Sequence, residues 1–159
     1  SNSSITLQIK RYYSNGNYIA LMTNYASIRT MIPSKFYLEN QSFGHISTTE
    51  LVHKGILRKS FIRRKPLLAE SYEIKLPSTA QWSSFSEELD YCSAWKWEDH
   101  YTPDSVILDG MNWKIEIELS DGRSIHSSGC NAYPTDTQWD SFNLAISKLL
   151  GIRWLDYKK

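Results

Sequence analysis

Apolar and polar positions alternate over Ile5, Leu7 and Ile9, and alternation resumes from Tyr18 to Met22 after Asn15-Gly16. Asn-Gly between two alternating runs predicts a hairpin, because both central residues of a type I′ turn need positive φ. Residues 26–48, broken by Pro33 and Gly44, carry no regular period. Short extended runs return over Leu51 to Phe61 and Ser71 to Leu76, separated at Pro66. At Pro77 the period changes. Trp82, Phe85, Leu89 and Cys92 fall three or four residues apart, and Ser78 with Gln81 forms a capping box, which predicts a helix near 79–93. Trp95, Trp97 and Tyr101 then alternate with Lys96, Glu98 and His100, the pattern of a strand. From Trp113 to Leu119 alternation is strict, with Lys114, Glu116 and Glu118 on the wet side, as an antiparallel sheet with one solvated face allows. Asp121-Gly122 turns the chain into a partner strand over Arg123 to Cys130. A last helix near 136–150 carries Trp139, Phe142, Ile146 and Leu149 on one side and stops at Gly151.

The two helical segments match at an offset of 57 residues, in a repeat of 77–97 with 134–154. Pro77 matches Pro134, Gln81 matches Gln138, Trp82 matches Trp139, Ser84 matches Ser141, Phe85 matches Phe142, Leu89 matches Ile146 and Trp97 matches Trp154. Two copies are too few for a stacked array. The expected fold is therefore a single α+β domain over 1–159. Its antiparallel sheet has about five to seven strands, with both helices packed on one face and Trp82, Phe85, Leu89, Trp113, Ile115, Ile117, Trp139, Phe142 and Ile146 in the core. The length, 159 residues, suffices for such a core without staples. The two cysteines, Cys92 and Cys130, form no disulfide framework and no CxxC pair. No apolar run spans a bilayer, and cytoplasm is the expected location.

The segment from 75 to 155 also carries Asp109-Gly110 with Trp113 three residues on, and Gly129-Cys130-Asn131-Ala132-Tyr133-Pro134 before the final helix. In these features it resembles a group of small uncharacterised bacterial proteins with an Asp-Gly-x-x-Trp strand and a Gly-x-Asn-x-Tyr-Pro segment. The resemblance implies a compact α+β domain and brings no activity with it.

A net charge of +1 hides an asymmetry: residues 1–76 hold 11 basic and 4 acidic side chains, residues 77–159 hold 7 and 13. Lys54, Arg58, Lys59, Arg63, Arg64 and Lys65 occur with no acid among them, so a basic face for nucleic acid is one candidate. Glu98, Asp99 and His100, near Asp104 and Asp109, are the candidates for a divalent-metal-dependent hydrolase or nuclease. Their spacing matches no catalytic or phosphate-binding motif, and no cofactor is expected. Six tryptophans exceed what one small core readily takes. Trp95, Trp97, Tyr101 and Trp154 are therefore candidate contact residues. The function expected is a non-enzymatic binding or adaptor domain for another protein or a small ligand, outside the membrane and present as a monomer or weak homodimer.

Overall fold

The computed structural model describes residues 31–64, 68–107 and 110–151. Its strands are β1 (Lys35–Ser42), β2 (His45–His53), β3 (Ile56–Arg63), β4 (Ala69–Lys75), β5 (His100–Tyr101), β6 (Asn112–Glu118) and β7 (Ser124–Cys130). Its helices are α1 (Thr79–Tyr91) and α2 (Asp136–Leu150), with a 3-10 turn at Ala94–Lys96. The strands form one sheet in the order β4-β3-β2-β1-β6-β7-β5. Every pairing is antiparallel except β5 with β7. The fold is α+β. None of the described helices is long and apolar enough to cross a membrane. The hairpin expected at 5–22 and the far end of the repeat at Trp154 lie outside the described residues.

Register sorts the side chains into two faces, since residues directly opposite in an antiparallel pair point the same way. Phe36 lies opposite Ile117, and Leu38 lies opposite both Ile115 and Thr49. All five are buried. Leu57 of β3 and Ile125 of β7 continue this buried face. α1 brings Trp82 and Phe85 against the Phe36 ring at 5.9 and 5.8 Å, and α2 brings Trp139 to 4.7 Å from Trp113. Burying each such side chain contributes about 1.5–3 kcal/mol. All nine residues expected in the core are buried.

Local signals set the helix limits. The Ser78 hydroxyl accepts from the Gln81 amide while the Gln81 side chain accepts from the Ser78 amide, the full capping box. Thr135 caps α2 through the Gln138 amide, and Gly151 ends it in the left-handed region. Two expectations need correction. The run from Leu51 to Phe61 is two strands, because Gly55 at φ +72° lets Lys54-Gly55 reverse the chain. The stretch from Trp95 to Tyr101 is a strand only at His100–Tyr101, because Ser93 enters the left-handed region and starts the 3-10 turn that holds Trp95.

Candidate functional site

The candidate aromatics are tied into the fold. Trp97 donates its Nε1–H to the Cys92 carbonyl at 3.2 Å and packs 5.2 Å from Phe142. Tyr101 lies 5.9 Å from Trp113, and its hydroxyl accepts from the Glu98 amide. Trp95 donates to Asp90 at 2.7 Å and lies beneath the Arg123 guanidinium, which itself bonds Asp90 and Asp121. These three rings are partly buried against the core, so they brace the loop after α1. Cys92, at the foot of that loop, has its thiol pushed up to about 11 by burial.

The basic candidates do not converge. Alternation sends Arg58 to one face of β3, where it pairs with Glu50, and sends Lys59 and Arg63 to the other. Lys54 sits in the β2–β3 turn and Arg64 follows the strand, while Lys65 lies outside the described residues. The acidic candidates are held largely through their main chains. The Glu98 carbonyl accepts from the Ser127 hydroxyl, the Asp99 carbonyl accepts from the Ser128 amide, and His100 Nδ1 lies 2.8 Å from the Ser128 hydroxyl. Asp104 is exposed and Asp109 lies outside the described residues. Among the described residues no three His, Cys, Asp or Glu side chains come together around a cation position.

Two sequence features meet at the end of the β6–β7 pair. Trp113 donates to the Ala132 carbonyl at 2.9 Å, the Met111 amide donates to Asn131 Oδ1 at 2.8 Å, and Tyr133 stacks on Trp113. Gly129 lies so close that a Cβ there would sit 2.4 Å from the Ala132 carbonyl oxygen. The segments Gly110 to Trp113 and Gly129 to Tyr133 are thus two halves of one packing device. Beside it, Gln41, Asn112, Cys130 and Asn131 line a cavity of about 290 Å³.

The sheet face opposite the core is polar, and register lines its side chains into rows. One row runs Ile74, Arg58, Glu50, Tyr37, Glu116, His126 from β4 to β7. Glu116 accepts from Lys114 at 2.7 Å and Lys35 at 2.8 Å, and these two ammonium groups hold its carboxyl down at about 2. Burial, and then the hydrogen bond it gives Glu39, push the Tyr37 phenol above the ordinary tyrosine range. A cavity of about 310 Å³ opens among Lys35, Tyr37, Glu50, Lys114 and Glu116. Lys35 and Lys114 share Glu116, and Glu50 pairs with Arg58 beside the cavity, so each of its charges already has a partner.

The β4 end of the same face is different. Among the described residues β4 pairs with β3 alone, so its outer edge carries no partner strand. Tyr72 is 74% exposed and Ile74 47%, and the flanking Leu68 and Leu76 are 77% and 71% exposed. Alternation places Tyr72 and Ile74 on one face and Glu73 and Lys75 on the other, where those two form an ion pair at 2.6 Å. These residues are absent from the candidates drawn from sequence. The alternation of Tyr72, Ile74 and Leu76 was the available signal, but only strand order reveals that it lies on an edge. Compared with known proteins, the chain matches no protein family and no curated sequence.

Proposed function

We propose that this chain is a non-enzymatic binding domain that takes an extended polypeptide strand onto the β4 edge of its sheet. The observation that carries this reading is the concentration of large exposed apolar side chains on and beside β4, Tyr72 and Ile74 within the strand and Leu68 and Leu76 flanking it, at a margin of the sheet formed by the described residues. An unpaired edge offers a row of main-chain donors and acceptors that a second strand can satisfy, and alternate side chains supply selectivity. Natural edges are usually short or blunted, and apolar surface gathered on one usually has a partner. The complementary segment carries apolar residues at every second position, to meet Tyr72 and Ile74, and opposite charges between them, to meet Glu73 and Lys75. A nucleic-acid role draws less support, because phosphate contact needs cations on one surface and β3 divides its own between two.

A random-peptide display library panned against the purified protein tests the reading. Enriched peptides are expected to alternate apolar and polar residues and to lose binding when Tyr72 and Ile74 are both replaced by Lys. Peptides that bind the doubly substituted protein as well as the parent would overturn it.

A further inference from the structure

Resting on that reading of β4, we infer that one strand the edge accepts is β4 of a second copy, paired antiparallel about a twofold axis through Ile74. The argument starts from geometry. Two copies that extend one continuous sheet keep their faces aligned, so residues opposite each other must share parity along the strand. The axis therefore passes through a residue, never between two. Each choice of residue fixes every cross-strand pair, and the β4 sequence separates the choices sharply.

An axis through Glu70, Glu73 or Lys75 sets like charges directly opposite each other, which is destabilising. An axis through Tyr72 sets Glu70 against Ile74, Glu73 against Ser71 and Lys75 against Ala69, leaving all three charges without a mate. An axis through Ser71 sets Glu70 against Tyr72 and Glu73 against Ala69. Of these six axes, the one through Ile74 alone satisfies both faces. On one face Ile74 meets its own copy and Tyr72 meets Leu76 twice, covering three exposed apolar side chains. On the other face Glu73 meets Lys75 twice, joining the existing Glu73–Lys75 pair of each copy into a ring of four alternating charges. The paired stretch runs from Ser71 to Pro77, where the missing amide of proline ends the ladder. A contact of one strand per copy is smaller than a standard interface, so the dimer is concentration-dependent rather than permanent.

Single-cysteine scanning tests both the partner and the register. In a Cys130→Ser background, with Cys92 buried, Cys is placed at Ile74, Tyr72 or Glu70 and treated with a short bis-maleimide. The Ile74→Cys chains face each other across the axis. The two copies of residue 72 are offset by four residues, about 13 Å, and the two copies of residue 70 by eight, about 27 Å. Cross-linked dimer is expected at position 74, at least tenfold above positions 72 and 70, and Ile74→Lys in the parent should leave only monomer in light scattering. Cross-linking that peaks at 72, or is equal at all three positions, overturns the register. A monomer at every concentration overturns the second copy as partner, and peptide panning shows separately whether the edge reading falls with it.

Discussion

Replacing Gly129 by Ala isolates the packing device at the end of β6 and β7. The backbone at this position is not in the left-handed region, so alanine meets no conformational penalty and any effect is one of space. The added Cβ would lie 2.4 Å from the Ala132 carbonyl oxygen and 2.5 Å from Trp113 Nε1, whereas ordinary contact begins at 3.4 Å. Main chain or indole must retreat by roughly 1 Å, and the two atoms pressed are the donor and acceptor of the Trp113–Ala132 hydrogen bond. Losing a buried hydrogen bond costs about 1–3 kcal/mol and overpacking costs a similar amount, so about 2–6 kcal/mol is expected in total. For a chain of this length that lowers Tm by about 5–20 °C. Trp113 also touches Trp139, Tyr133 and Tyr101, so intrinsic tryptophan fluorescence follows the melt directly. Gly122→Ala is the control. It has open space around its Cβ but a φ of +92°, and strain alone costs about 1 kcal/mol. A Gly129→Ala protein that melts with the parent, or above Gly122→Ala, would refute the reasoning.

Three further substitutions probe other parts of the fold. Thr49 is fully buried, and among the described residues its hydroxyl has no hydrogen-bond partner, so Thr49→Val should stabilise by about 1 kcal/mol in urea titration. Ser78→Ala removes the cap of α1 and should cost about 1 kcal/mol, read as a lower urea midpoint at unchanged slope. The Glu116 carboxyl titrates at about 2 in the fold, below its unfolded value, so its pairs with Lys114 and Lys35 stabilise above the ordinary glutamate range, and that contribution drains as pH falls toward 2. Glu116→Gln should therefore be less stable than the parent at pH 7, with the gap closing by pH 2. A gap that persists or widens in acid would contradict the assignment.

Where the chain announces an element by chemistry as well as period, sequence alone suffices. α2 runs from Asp136 to Leu150, matching its expected limits, because Thr135 and Gly151 supply both stops. α1, expected over 79–93, ends at Tyr91 because Ser93 turns left-handed two residues later. β1 is hidden because its core-facing row is apolar only at Phe36 and Leu38 and then turns polar at Asn40 and Ser42, which blurs the alternation. The Trp95–Tyr101 run misleads for the opposite reason. A perfect alternation there reports one indole held by Asp90 and another held by the Cys92 carbonyl, not two faces of a sheet. The β4 edge could not be read at all, since it is defined by strand order among the described residues. Strand order, with β1 pairing β6 across more than 70 residues, is a property of the assembled sheet.

The docking edge is tested most directly by titrating the ¹⁵N-labelled protein with the tightest peptide from the display selection and assigning the amides that shift and gain protection from exchange. The account predicts that these amides belong to residues 69–75 of β4, with smaller changes in the adjoining β3 and none along α1 or α2. Shifts centred on the helices, on the cavity among Lys35, Tyr37 and Glu116, or on the loop bearing Trp95 and Trp97, with β4 unmoved, would contradict it.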